Sequence, residues 1–136
     1  MKKLILLLLL IPLFGLSQDI KENFPFALVD LVPVYPGCED TTNTRVCFQE
    51  QILKHIAQHF RYPMLAKKRK IQGRVFVQFT VGEGGYIDNI RTRGPHVILE
   101  KEAKRIISLL PRFKPGSQFG KPVRVPFSIP IIFKLQ

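Results

Sequence analysis

Between Phe119 and Leu135 the chain reads FGKPVRVPFSIPIIFKL, and every odd position from Val123 to Leu135 is apolar. The even positions are Pro122, Arg124, Pro126, Ser128, Pro130, Ile132 and Lys134. Alternation of this length predicts one long strand with a buried face and a solvent face. Alternate N–H groups along a strand point to the same lateral edge, so Pro126 and Pro130 remove donors from one edge only. Proline is tolerated at sheet edges, strand ends or bulges, and the pattern therefore predicts a long edge strand with one lateral side short of donors.

Upstream the period changes from two to about four. Phe48, Ile52, Ile56 and Phe60, widened by Leu53 and Ala57, predict a helix from about Val46 to Phe60 facing a core. Thr41 to Thr44 supply N-caps, and Tyr62-Pro63 ends the helix because the residue before proline avoids helical geometry. A short helix from Pro63 to about Ile71 follows, with Gly73 as its expected stop. Val75, Val77, Phe79 and Val81 then alternate with Arg74, Phe76, Gln78 and Thr80, Gly82 to Gly85 turn the chain, and Tyr86 to Arg93 return. Ile87 and Ile90 differ in parity, which predicts a bulge in the return strand. Leu99, Ala103, Ile106, Ile107 and Leu110 predict a third helix over about 98–110, stopped by Pro111. The resulting class is α+β: two main helices and a short one packed on a small antiparallel sheet of about three strands.

Composition changes this picture at the N-terminus. Lys2 and Lys3 precede a mostly apolar run from Leu4 to Leu16 and a small-residue site ending at Ser17, the three parts of a secretory leader. The run is shorter than the ~20 apolar residues of a membrane span and contains Pro12. Residues 1–17 are read as a signal peptide, 18–33 as an extended lead-in and 34–136 as the folded domain. Export carries the domain out of the cytoplasm, and an uncleaved leader would leave it membrane-anchored. The charge of +11 would otherwise suggest nucleic acid, but export argues against that partner, and anionic envelope polymers, acidic lipid head groups or simply a solvated basic surface are the more natural readings. Export also favours a disulfide between Cys38 and Cys47, the only two cysteines.

No motif assembles a reaction. His55 and His59 share a helix face, but position 56 is isoleucine rather than the glutamate of the zinc-protease pattern, and no third ligand can be named. They are read as surface histidines. No serine has a nucleophile-elbow context, and the glycine-rich turn at 82–85 leads into a strand rather than a phosphate-binding helix. Neither enzyme activity, nor a catalytic residue, metal or cofactor is expected.

Tyr62-Pro63 with Ala66, the run Gly73-Arg74-Val75-Phe76-Val77-Gln78-Phe79, and Gly85-Tyr86-Ile87 resemble the start of the TonB C-terminal domain. Leu110-Pro111-Arg112-Phe113-Lys114-Pro115-Gly116, Gly120-Lys121-Pro122-Val123 and Pro130-Ile131 extend the likeness in the same order. The cysteines and Gly37-Cys38-Glu39 look like the variant of Bacteroidetes-type envelopes. The resemblance implies a periplasmic module for TonB-dependent outer-membrane transport, which grips a receptor segment by adding it as a strand. It places partner binding on Val123, Arg124, Val125, Phe127, Ser128, Ile129, Ile131 and Phe133. A second reading is an envelope structural protein holding an anionic polymer such as peptidoglycan through residues 67–70, Arg91, Arg93, Arg112 and Lys114. Unpaired sheet edges also invite a homodimer.

Overall fold

The computed structural model describes residues 23, 25, 26 and 29–136. The leader expected at 1–17 lies outside the described residues, as does half of the lead-in expected at 18–33. In chain order, α1 spans Thr44–His59, α2 Met64–Lys68, β1 Gly73–Val81, β2 Ile87–Arg93 and α3 Val97–Ser108; β3 (Gly116–Gln118), β4 (Lys121–Val123) and β5 (Val125–Phe133) follow. The main sheet is antiparallel with the order β2-β1-β5, and β3 and β4 form a separate two-stranded ribbon. Three helices on a small antiparallel sheet make the α+β fold that the periodicities predict.

The alternation of β1 sorts its side chains. Val75, Val77, Phe79 and Val81 are buried on the helix-covered face, while Arg74, Phe76 and Gln78 are exposed on the other. Against the buried face pack Phe48 and Ile52 of α1, Leu99, Ala103, Ile106 and Ile107 of α3, and Ile129, Ile131 and Phe133 of β5. The expected bulge is present: Gln78 pairs with Arg91 but Thr80 pairs with Asp88, leaving one extra residue in β2. Asn89 takes up the distortion at φ 51°, a left-handed geometry that asparagine tolerates better than most residues.

The β1–β2 turn is fastened to the segment after α3. Phe113 donates its N–H to the Gly85 carbonyl at 2.8 Å, and Arg112 donates to the Gly84 carbonyl at 2.9 Å. A β-carbon at Gly85, where φ is +84°, would lie 1.8 Å from the Phe113 carbonyl oxygen. Only glycine fits this approach.

Three expectations are corrected. The single strand predicted from Phe119 to Leu135 is broken. Phe119 (φ 52°) and Gly120 (φ 74°) form a two-residue turn between β3 and β4, with both residues at the positive φ that tight hairpins require. Arg124 then falls between the two ladders and forms an isolated parallel bridge with Asn23. Odd–even parity runs unbroken through Arg124, so the break leaves no mark in the hydrophobic pattern. Secondly, α2 stops at Lys68 rather than at Gly73. Lys70 at φ 54° lets the Ile71 N–H reach back to the Ala66 carbonyl at 2.8 Å, closing the last turn. Thirdly, Leu53 is not in the core: it is 64% exposed, and His55 is buried in its place.

Candidate functional site

The β1–β5 register fixes which way the backbone of β5 faces. Pro126 stands opposite Thr80 and Pro130 opposite Phe76. Pairs in an antiparallel ladder alternate between those that exchange hydrogen bonds and those that do not, and a proline pair has no N–H to exchange. The odd residues of β5 therefore bond to β1, whereas Pro126, Ser128, Pro130 and Ile132 direct their backbone groups to the opposite side. Among the described residues no strand lies on that side of β5. It is a free edge with a carbonyl at each of these positions and N–H groups at Ser128 and Ile132 only.

A shallow cavity of about 250 Å³ runs beside this edge, lined by Gln49, Ile52 and Leu53 of α1 and by Phe127, Ser128 and Ile129 of β5. Helix α1 lies over β5, with the Phe48 and Phe127 rings 4.9 Å apart, so its outer flank overhangs the strand. Leu53 stands on that flank as an exposed apolar wall. Sequence periodicity placed Leu53 in the core stripe and so missed it, and Gln49 beside it, as candidate contacts.

The wall is pinned at both ends. At its N-terminal end Asn43 accepts a hydrogen bond from the Val46 N–H, and Cys47 forms the disulfide with Cys38. Near its C-terminal end Arg105 of α3 donates to the His59 carbonyl at 2.6 Å and pairs with Glu102, which in turn accepts the Arg61 N–H at 2.9 Å. The hydrogen bonds that the Arg105 guanidinium donates to Glu102 hold it above its ordinary pKa. Groups that would otherwise be unpaired beyond the helix end thus acquire partners from α3.

The residues assigned to partner binding occupy different positions here. Val125, Ile129, Ile131 and Phe133 are buried with their side chains in the core, Phe127 is half-buried at the groove, and Ser128 is exposed on the open face. Val123 belongs to β4 and is half-buried. Arg124 makes a two-pronged pair with Asp88, both contacts at 2.8 Å, and this hydrogen bonding raises its pKa above the ordinary value. At β5 the free backbone belongs to the even positions and the apolar groove wall to α1.

The opposite sheet edge differs. On β2 the bulge at Asn89 twists the strand, and Asp88, Asn89, Arg91 and Arg93 are exposed, features that blunt an edge against pairing. Strand β5 keeps register with β1 over all nine of its residues without a shift. It is the better template.

The two histidines lie side by side on α1, with ring centroids 4.4 Å apart. His55, expected at the surface, is 5% exposed and its Nε2 lies 2.8 Å from the Ile106 carbonyl oxygen. Burial lowers its pKa below 6.5, opposed by that hydrogen bond and reinforced by the nearby His59. The neutral ring donates Nε2–H to the carbonyl. Among the described residues no three His, Cys, Asp or Glu side chains gather as metal ligands, and no helix is long and apolar enough to cross a membrane.

Comparison with known proteins agrees with this architecture. Residues 58–135 match the family model for the Gram-negative bacterial TonB protein C-terminal region. Among solved structures, the chain is similar to an NMR solution structure of the Helicobacter pylori TonB C-terminal domain at 25% identity, covering 74% of this chain and 91% of that one with a TM-score of 0.55. A shorter form of the same Helicobacter pylori domain is 27% identical over 64% of this chain and 92% of that one, with a TM-score of 0.43. No curated protein matches the chain.

Proposed function

Because the chain belongs to the Gram-negative bacterial TonB protein C-terminal family, we propose that it is a non-enzymatic periplasmic module of TonB-dependent transport that binds an extended segment of an outer-membrane receptor as a fourth strand along β5. The observation that carries this reading is the unshifted free edge of β5 beside the groove under α1. A segment paired antiparallel would donate its N–H groups to the carbonyls of Pro126, Ser128, Pro130 and Ile132 and accept from Ser128 and Ile132. Main-chain bonding supplies affinity with little sequence preference, and pockets for alternate side chains supply selectivity. Here the inward side chains of the segment would meet Leu53 and Phe127, which favours apolar residues at every second position. The leader read at residues 1–17 fits this assignment by delivering the domain to the compartment where receptor segments are found.

Amide hydrogen exchange during titration with peptides from the N-terminal segments of TonB-dependent receptors tests the proposal. The amides of Ser128 and Ile132 face outward and should exchange rapidly in the free protein, then become protected when peptide is added. Failure of any such peptide to bind, or binding that leaves both amides unprotected, refutes it.

A further inference from the structure

A second surface lies on α2. Its five residues, Met64–Lys68, bury only Ala66 against the core. Met64 is 70% exposed and Leu65 44% exposed, and residues 67–70, Lys-Lys-Arg-Lys, are all exposed directly after them. The turn is held in shape, because the Arg69 N–H bonds to the Leu65 carbonyl at 3.0 Å and the Ile71 N–H to the Ala66 carbonyl at 2.8 Å. The patch continues onto α3, where Ile98, Lys101, Glu102 and Arg105 line a shallow cavity of about 300 Å³ with Pro63.

Acidic residues do not neutralise it. None occurs between Arg61 and Gly82. On α3, Glu102 is committed to Arg105 and the Arg61 N–H, and Glu100 accepts the Gly94 N–H at 2.9 Å. Among the described residues nothing covers these cations or the two apolar side chains beside them.

We infer that α2 docks on the surface of an anionic phospholipid bilayer, with Met64 and Leu65 entering the interface and residues 67–70 on the headgroup phosphates. The pairing of the two features selects this occupant. A soluble polyanion would satisfy the cations but leave Met64 and Leu65 in water, whereas a membrane interface receives both. A protein partner is disfavoured, because one turn of helix with two apolar side chains offers far less than the area of a specific interface. A second copy would set lysine against lysine. This surface does not include the β5 edge, so the inference stands or falls independently of receptor binding.

The chain contains no tryptophan, which makes a local reporter available. Full-length protein carrying Met64→Trp is mixed with vesicles of phosphatidylglycerol or of phosphatidylcholine. Full-length protein carrying Phe119→Trp, a change at the 85% exposed tip of the β3–β4 turn, is the control for any binding driven by other parts of the chain. The Met64→Trp emission should shift to the blue with the anionic vesicles alone, and the Phe119→Trp emission should stay unchanged. Adding Lys67→Gln, Lys68→Gln and Lys70→Gln should weaken partitioning by roughly five-fold per lysine. No blue shift at Met64→Trp, an equal shift with neutral vesicles, an equal shift at Phe119→Trp, or an equal shift with soluble polyphosphate would each overturn the inference.

Discussion

Replacing Pro126 and Pro130 together with valine gives the outer edge of β5 the donors it lacks. Both prolines sit opposite β1 residues with which they exchange no hydrogen bonds, so the new N–H groups point away from β1 and leave that ladder intact. Valine suits a strand, and Pro130 is exposed while Pro126 is half-buried, so neither change opens a core cavity. Losing two prolines loosens the unfolded chain and lowers stability by ~0.4–1 kcal/mol each. Each restored donor contributes about 0.5–1.5 kcal/mol to a paired strand, so a bound segment should tighten by ~1–3 kcal/mol, or roughly 5- to 150-fold in Kd. Calorimetric titration with the receptor peptide reads this directly. Sedimentation velocity without peptide reads the second consequence, because an edge with full donors also pairs better with its own copy. Unchanged affinity together with an unchanged monomer would show that the free edge of β5 is not where strands add.

Other outcomes follow from the scaffold. Gly85→Ala should destabilise the fold by about 2–4 kcal/mol in urea titration, from left-handed strain plus displacement of the Phe113 hydrogen bond; a wild-type midpoint would contradict the tight approach. Reducing Cys38–Cys47, which are nine positions apart, should lower stability by ~2–3 kcal/mol in the chain-entropy account, seen as a lower Tm with dithiothreitol that a Cys38→Ser, Cys47→Ser variant reproduces without it. His55 is harder to protonate folded than unfolded, so the unfolded chain binds the extra proton as pH drops. Its contribution should be complete above about pH 6.5 and decline as pH falls from there through the lower folded-state pKa. Denaturation midpoints measured across that range should flatten in His55→Gln, and an identical slope would reject the assignment.

Elements built by local periodicity were legible in the sequence, and what depended on tertiary cover was not. Alternation in β1 gave its buried face, and the parity clash of Ile87 with Ile90 gave the bulge that Asn89 absorbs. Leu53 and His55 are the counterexample. Hydropathy records where apolar atoms are, but burial also needs something to lie over them, and Leu53 stays exposed on the flank of α1 that lines the groove with β5. His55 turns inward because the Ile106 carbonyl gives its ring a partner, a contact across 51 positions that no local pattern encodes. The break at Arg124 was hidden for a related reason: a strand can change ladders without changing parity. The prolines announced an edge, but only the register with Thr80 and Phe76 shows that their missing donors face outward.

The same register sets how an added strand responds to force. A segment bonded antiparallel along β5 would meet alternating joints, doubly bonded at Ile132 and Ser128 and singly bonded at Pro130 and Pro126. Tension along the strand axis loads all of these joints at once, whereas tension across it opens them in turn. Peeling from the Pro126 end breaks a single bond first, and peeling from the Ile132 end must first break two. Under the proposed docking the edge would be a fastening with a strong end and a weak end, opened with less force from Pro126 than from Ile132.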